Sequence, residues 1–273
     1  EAITAANTNS EFGGCPAGSA GEIDTILLSS GTYTLTILGT ELPDDMNISG
    51  DLDIRSSLNL RGVGMNLSTI QAPGLDRVLS VVGTHTVTIM DLSLSHGLPI
   101  SGPGGGLYND QGTVTLNRVK VSDNLTPAGD GCAGIYNNGS MSIRSSNVAG
   151  NTVSMDNVLT GNQYGGGICN FPSANMTIDD TTISANSAGD LEDVTALTSD
   201  IFAGNGGGIY NAGSLTVTRS LIRDNAAGDM DGFGSLDPYC VHGGYGGGIY
   251  NSSVMIINNS TIYGNRAGTS KAP

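Results

Sequence analysis

A six-residue motif occurs five times in this chain and limits the folds that are open to it. Each copy has three small residues, one aliphatic residue, a tyrosine or cysteine, and a final asparagine. The copies are GGGLYN at 104–109, CAGIYN at 132–137, GGGICN at 165–170, GGGIYN at 206–211 and GGGIYN at 246–251. Such recurrence is typical of stacked repeats, in which each repeat is covered by its neighbours.

Each motif opens a repeat of 20 to 22 residues that contains two short alternating stretches. An example is LTV at 215–217 followed by SLI at 220–222. The repeats end on asparagines: Asn124, Asn151, Asn186, Asn225 and Asn265. Glycine triplets and β-branched alternation oppose helix formation, so each repeat is predicted to be one coil of a parallel β-helix.

The motif positions have distinct predicted roles in such a coil. The aliphatic residue should point inward and stack as a ladder: Leu107, Ile135, Ile168, Ile209 and Ile249. The next residue should form an outward row: Tyr108, Tyr136, Cys169, Tyr210 and Tyr250. The asparagines should sit at a bend, since asparagine tolerates left-handed backbone and bonds to nearby main chain, and each should also bond to the copy in the next coil: Asn109, Asn137, Asn170, Asn211 and Asn251.

The four tyrosines of the outward row have two interpretations. They are either ordinary surface packing or a binding face, because exposed aromatic rows stack on sugars or on another protein. The candidate binding residues are Tyr108, Tyr136, Tyr210 and Tyr250.

The first hundred residues lack the motif but keep the rhythm of short strands. The stretch EAITAANTN is the one segment that favours a helix, and its apolar side chains are expected to cap the first coil. Three or four irregular coils should follow. We therefore predict a single domain over 1–273, with a cap and irregular coils in 1–103 and regular coils in 104–273. The last coil has no predicted cap, so either the chain continues or another chain covers that end.

The net charge is −15, with only 10 lysines and arginines among 273 residues. An acidic surface of this kind disfavours nucleic acids and anionic membrane surfaces. No apolar run approaches the roughly 20 residues of a membrane span.

Four cysteines are scattered along the chain: Cys15, Cys132, Cys169 and Cys240. None forms a C-x-x-C pair, so zinc or thioredoxin-like chemistry has no support. Together with the acidic, lysine-poor composition they indicate an oxidising compartment and secretion, although buried free thiols are the alternative. Cys169 should meet either Cys132 or Cys240 near the insert corner, with Cys15 left near the cap.

Inserts of different length separate the coils, at 125–131, 152–164, 187–205 and 226–245, and all should leave the β-helix at one corner. Two of them align, as NSAGDLED at 186–193 and NAAGDMDG at 225–232. Stacked one coil apart, their carboxylates would suit Ca²⁺, and the candidate ligands are Asp190, Asp193, Asp229 and Asp231. The alternative is solvated turns, in which Asp and Gly serve turn geometry.

Enzymatic chemistry finds little support in the residues. A β-helix lyase needs a carboxylate cluster with an adjacent basic residue, and a hydrolase needs carboxylates at fixed separation on neighbouring coils. Asp179 and Asp180 are adjacent, Asp91 stands alone, and the three histidines are not spaced as metal ligands. We therefore predict no catalytic site and no cofactor, apart from the calcium named above.

The stretches EAITAANTN, GEIDTILLSSGTYTLT, ISGDLDIRSSLNLRGVG, GLDRVL and VTIMDLSLSHG resemble secreted bacterial β-helix proteins that carry a CSLREAI-type motif. The chain would begin within that motif. The GGGIYN coils resemble the same proteins and, more loosely, the repeats of polymorphic outer-membrane proteins. The resemblance implies an all-β, right-handed, single-stranded parallel β-helix on the bacterial cell surface, and it transfers no functional residues.

These observations favour a secreted, non-enzymatic structural or adhesin-like module. Its expected partners are further copies of itself, joined end to end or laterally, or other surface proteins and possible glycans. The second hypothesis is a β-helix that binds or degrades carbohydrate through the tyrosine row or the insert corner.

Overall fold

The structure is a computed structural model. It describes residues 1–19, 21–39, 47–127, 131–154, 164–194, 201–233 and 241–270. Over these residues it is a parallel β-helix that begins with one short helix, as predicted. Coils lie on one another in register, so that each motif residue meets its counterpart in the next coil.

Helix α1 spans Ala2–Thr8 and buries Ile3, Ala5 and Ala6. Ile3 and Ala6 belong to the same hydrophobic core as the strands. The predicted cap is therefore present. The chain leaves the helix through Asn9, which has left-handed backbone with φ of 52°, a conformation that asparagine tolerates.

Three coils precede the regular repeats, and the first of them has two described strands. Their strands are β1 Asp24–Leu27, β2 Gly31–Thr34, β3 Leu52–Ile54, β4 Leu58–Arg61, β5 Ser68–Gln71, β6 Leu79–Val82 and β7 Thr86–Ser95.

The five regular coils follow from Leu107 onward. The fourth coil has β8 Leu107–Asp110, β9 Thr113–Ser122 and β10 Leu125–Thr126. The fifth has β11 Ile135–Asn137, β12 Ser140–Arg144, β13 Asn147–Ala149 and β14 Thr152–Val153. The sixth has β15 Ile168–Asn170, β16 Asn175–Asp179, β17 Thr182–Ser184, β18 Leu191–Val194 and β19 Ile201–Phe202. The seventh has β20 Ile209–Asn211, β21 Ser214–Thr218, β22 Leu221–Arg223, β23 Met230–Phe233 and β24 Val241–His242. The eighth has β25 Ile249–Asn251, β26 Val254–Asn258 and β27 Thr261–Tyr263.

Two large parallel sheets run along the stack. The seven-stranded sheet contains β3, β6, β8, β11, β15, β20 and β25. The fourteen-stranded sheet contains β1, β2, β4, β5, β7, β9, β12, β13, β16, β17, β21, β22, β26 and β27. At the insert corner, β10 pairs with β14, β18 with β23 and β19 with β24. The described parts of the inserts therefore stack at one corner, as predicted.

One left-handed residue turns the fourteen-stranded sheet at its corner. In β9 the buried residues are Val114 and Leu116, then Val119 and Val121, so the alternation shifts by one residue at Arg118. Arg118 has φ of 53°. The extra residue bends the strand and returns the next apolar side chain to the inside. Counterparts in other coils are also left-handed: Asp91, Ser145, Asp180, Arg219 and Asn259.

The core consists of stacked aliphatic ladders. Leu107, Ile135, Ile168 and Ile209 are fully buried, and Ile249 in the last coil is half-buried. The predicted inward ladder is therefore confirmed. Burial of each such side chain stabilises the stack by roughly 1.5–3 kcal/mol.

The asparagines of the motif form a buried ladder of amides. From Asn109 to Asn211 each Nδ2 donates to Oδ1 of the next coil, at 2.7 Å from Asn109 to Asn137 and 2.9 Å from Asn137 to Asn170. The predicted coil-to-coil bonds and bonds to nearby main chain are confirmed, but the asparagines precede the bend and do not use the left-handed backbone that asparagine tolerates. These asparagines lie within strands and are absent from the left-handed positions. Their inward amides instead bond across the bend that follows, as when Gly112 N donates to Asn109 Oδ1 at 3.0 Å.

A second amide ladder is formed by the asparagines that close the repeats. Asn124, Asn151 and Asn186 donate through Nδ2 to the next copy at 2.8, 2.9 and 2.9 Å. The main-chain N–H of each asparagine donates to the same acceptor, as in Asn186 N to Asn225 Oδ1 at 3.0 Å. Thus both amide rows meet the hydrogen-bonding needs of buried polar groups from coil to coil.

We predict that Asn170→Ala destabilises the protein by roughly 2–4 kcal/mol, because it leaves buried amide partners on both neighbouring coils unsatisfied. Asn170 accepts from Asn137 and donates to Asn211 Oδ1 at 2.8 Å and to Ser214 O at 3.0 Å. The measurement is the urea midpoint of unfolding. Asn138→Ala is the matched control, since Asn138 is exposed. Equal midpoints for the two variants would contradict the amide ladder's role.

Candidate functional site

The predicted tyrosine row lies on the outside of the seven-stranded sheet. Tyr108 and Tyr136 stack with ring centroids 4.8 Å apart and an interplanar angle of 12°. Tyr210 and Tyr250 stack at 5.3 Å and 10°. In-register pairing of the strands sets this spacing, because it places each tyrosine directly over its counterpart.

Between these two pairs, the sixth coil has Cys169 in the tyrosine position, and two other rings fill the space. The centroid of Phe171 lies 4.6 Å from that of Tyr136, and the centroid of Tyr164 lies 4.2 Å from that of Tyr210. Phe171 and Tyr164 contact each other edge to face at 6.0 Å. The result is a continuous aromatic column, which we define as Tyr108, Tyr136, Phe171, Tyr164, Tyr210 and Tyr250.

Stacking decides which parts of the rings remain available to a ligand. The faces of Tyr136 and Tyr210 lie against neighbouring rings, so these tyrosines offer ring edges and hydroxyl groups. Sugars that stack on aromatic side chains need an open ring face. A binding role for the tyrosine row stays a prediction, and the geometry favours contact through edges and hydroxyls.

The column also changes the acidity of its phenols. Burial, with smaller contributions from Tyr108 and Asp110, raises the pKa of Tyr136 to about 12. Burial likewise raises the pKa of Tyr108 and of Tyr210. The hydroxyl groups of these tyrosines therefore remain protonated donors well into the alkaline range.

A charged cluster lies at the Tyr108 end of the column. The guanidinium carbon of Arg77 is 5.3 Å from the Tyr108 ring centroid, and Arg77 Nη1 is 3.9 Å from Asp51 Oδ2. Ser80 Oγ hydrogen-bonds to the same carboxylate oxygen. Burial raises the pKa of Asp51 to about 6, against the lowering effect of Arg77 and Ser80. Asp51 can therefore exchange a proton close to neutral pH.

Sequence reasoning did not single out Asp51. The residue lies in the polar stretch ISGDLDI, where an aspartate resembles an ordinary turn residue. It becomes 93% buried only because β3 and β6 pair and bring Ser80 and Arg77 over it. No local pattern in the sequence carries that information.

At the insert corner, Asp190 and Asp229 meet one coil apart, as their alignment predicted. The carboxylate of Asp190 accepts from the main-chain N–H of Asp229 at 2.7 Å. Asp229 Oδ1 accepts from Arg266 Nη1 at 2.6 Å and from Thr269 N at 2.8 Å. The hydrogen bond from Arg266 lowers the pKa of Asp229. Both carboxylates thus already link one coil to the next.

For the other two calcium candidates, the structure gives the strand and its backbone pairing. Asp193 lies in β18 and Asp231 in β23, where Asp231 pairs with Glu192 along the backbone. The residues that the structure describes contain no group of three or more His, Cys, Asp or Glu side chains arranged to hold a metal ion. Calcium binding stays a prediction.

A disulfide joins Cys132 to Cys169, with the two Cα atoms 5.6 Å apart. It links the fifth and sixth coils, and both residues are fully buried. Cys132 occupies the position of the first motif glycine and shares its left-handed backbone, with φ of 59°. Cys15 is a half-buried free thiol, and Cys240 lies outside the described residues.

Sequence reasoning missed a further surface, on the outside of the fourteen-stranded sheet. We call it the hydroxyl face, and it has two parallel rows. The first row is Thr86, Thr113, Ser140, Asn175 and Ser214. The second row is Thr88, Thr115, Ser142, Thr177 and Thr216. The available signal was the series TVT, TVT, SMS, NMT and SLT in β7, β9, β12, β16 and β21.

We predict that phenolate formation in Tyr136 occurs near pH 12 in the folded protein, against 10.0 for an unperturbed tyrosine. The folded state therefore holds this proton more tightly than the unfolded state. The stability that results is fully present below pH 10 and is lost as the pH rises toward 12. The measurement is phenolate absorbance during alkaline titration.

Tyr136→Phe should remove the last phenolate step of this titration. Tyr263→Phe, which removes an exposed tyrosine outside the aromatic column, should leave that step intact. Identical high-pH curves for Tyr136→Phe and the unchanged protein would contradict the assignment.

Comparison with known proteins identifies no relative of this chain. No family model, no curated protein and no solved structure matches the chain. Within the described residues, no helix has both the length and the apolar character needed to cross a membrane. Function must therefore be inferred from the chain's own residues.

Proposed function

We propose that this chain is an extracellular or cell-surface structural module, adhesin-like and non-enzymatic, that associates end to end. The observation that carries the proposal is the buried disulfide between Cys132 and Cys169 within a stack already joined by two amide ladders. Disulfides persist in oxidising compartments such as the cell exterior. A cross-linked stack of this kind suits a durable extracellular spacer.

Two further features support an extracellular setting. The net charge of −15 keeps such a surface soluble and repels nucleic acids and anionic lipids. The resemblance to secreted bacterial β-helix proteins points to the same setting. Neither feature names a binding partner.

The face of the eighth coil supports association between copies. Ile249, Met255 and Ile257 are half-buried, whereas their counterparts one coil earlier, Ile209, Leu215 and Val217, are fully buried. One more parallel strand layer stacked on the eighth coil would bury these three side chains, and a second copy of the chain can supply such a layer.

The expected location can be tested in cells that express the natural protein. We expect a non-permeant protease to remove the chain from intact cells. After denaturation in an alkylating reagent, Cys132 and Cys169 should remain unmodified until a reductant is added. The peptide with Cys15, a free thiol, reports complete alkylation. Protection from the protease, with both cysteines alkylated, would refute the extracellular proposal.

We predict that association through the eighth coil is lost in Ile257→Lys, because the variant places a charge among the apolar side chains that the second copy would cover. The measurement is light-scattering mass as a function of concentration. Val254→Lys is the matched control: its side chain lies on the outside of β26, and the variant should associate normally. Circular dichroism checks that both variants keep their β-structure. An unchanged protein that stays monomeric at all concentrations would disprove this association.

A further inference from the structure

The hydroxyl face is a two-dimensional lattice. Register pairing places one residue of each row in every coil from the third to the seventh. Neighbouring coils are about 4.8 Å apart, and residues two apart in a strand are about 6.7 Å apart. Hydroxyl or amide groups therefore repeat with one fixed spacing along the stack and another across it.

The hydroxyl groups of this lattice are available to solvent. Within the described part of the chain, Arg144 Nε donates to Ser142 Oγ at 3.1 Å, and the other hydroxyls of the face form no hydrogen bond with protein. Both rows lack charged and aromatic side chains. A shallow groove with a volume of about 290 Å³ runs along them from β9 to β21.

The positions of these groups are held by the interior. Val114, Met141, Met176 and Leu215, which alternate with the two rows, are buried in the core. The amide ladders fix the coil spacing, so the lattice cannot relax independently of the stack. Threonine adds stiffness, because its β-branched side chain has few accessible χ1 rotamers in a strand.

The chemistry of the hydroxyl face limits the kinds of ligand that it could bind. The two rows themselves carry no charge, and Arg144 reaches only Ser142, so they offer no dedicated site to an ion or a charged polymer. They also carry no open aromatic rings on which sugars could stack. Single hydroxyls compete poorly with bulk water for a dissolved ligand. A solid ligand whose surface hydrogen-bonding groups also repeat in two directions would contact many groups of the hydroxyl face at the same time, and the contacts would add up.

We propose that the hydroxyl face binds the surface of ice. The two spacings, about 4.8 Å and about 6.7 Å, are of the same order as the distances between neighbouring oxygen rows on a face of an ice crystal. Threonine and serine hydroxyls would take positions in the ordered water layer, and threonine methyl groups would lie between them. This activity goes beyond a structural role and does not depend on it.

The test uses the purified chain with its disulfide intact. Thermal hysteresis and inhibition of ice recrystallisation are measured for the unchanged protein, Thr115→Tyr and Thr182→Tyr. Thr115 lies within the second row. Thr182 is the matched control, because it faces outward from β17 on another side of the stack. We expect both activities in the unchanged protein and in Thr182→Tyr, and their loss in Thr115→Tyr.

Three outcomes would overturn the proposal. The first is the absence of both ice activities in the unchanged protein at millimolar concentration. The second is their equal loss in the two tyrosine variants. The third is that the protein binds crystalline cellulose or chitin and Thr115→Tyr abolishes this binding without changing the ice activities, since this would assign the lattice to a crystalline glycan. Circular dichroism of each variant shows whether the fold survives. Should Thr115→Tyr not fold, Thr177→Tyr replaces it, since Thr177 is an exposed member of the same row.

Discussion

Coil-to-coil hydrogen bonding between identical side-chain amides is the interaction on which this structure depends. Asn137 accepts from one neighbouring coil and donates to the other, and the same holds for Asn151 in the second ladder. A coil that slipped by one residue would lose both amide rows and turn its apolar side chains outward. The ladders therefore set the register, and this register aligns equivalent surface side chains of successive coils into rows.

Three surfaces follow from that register, and their chemistry differs. On the seven-stranded sheet, in-register tyrosines stack and cover one another's faces. At the insert corner, Asp190 and Asp229 bond to the main chain and to Arg266, so their charge is used for cohesion. On the fourteen-stranded sheet, the small hydroxyl side chains do not stack, and all of them except Ser142, which accepts from Arg144, remain open to water. The same symmetry thus produces a packed row, a bonded row and an open lattice.

Much of the fold could be predicted because its determinants are local and repeated. Leu107 and Ile135 occupy the same position in the motif, so a residue that points inward in one coil points inward in every coil. The corner residues were not predicted, because Arg118 and Ser145 adopt left-handed backbone without being glycine or asparagine. The partner of Cys169 stayed open between Cys132 and Cys240, because insert length does not reveal which cysteine lies one coil away.

The candidate site was predicted in part for the same reason. The tyrosine row follows directly from the motif, whereas Phe171 and Tyr164 enter the aromatic column from outside it. Asp51 acquires its environment from the pairing of β3 and β6, which no sequence periodicity marks. The TVT series was visible, but alternating polar residues occur on any outward strand face, and their significance appears only when the rows align.

The position of the cross-link has a consequence for the whole stack. Cys132 replaces a motif glycine, and Cys169 replaces the tyrosine of the following coil. The equivalent pairs Gly165 with Tyr210 and Gly206 with Tyr250 stand in the same relation, and both glycines have the same left-handed backbone. A Cβ at Gly165 or Gly206 would, however, press against the carbonyl group of Ile168 or Ile209. A second disulfide at those levels would therefore cost a backbone shift in addition to one left-handed non-glycine residue.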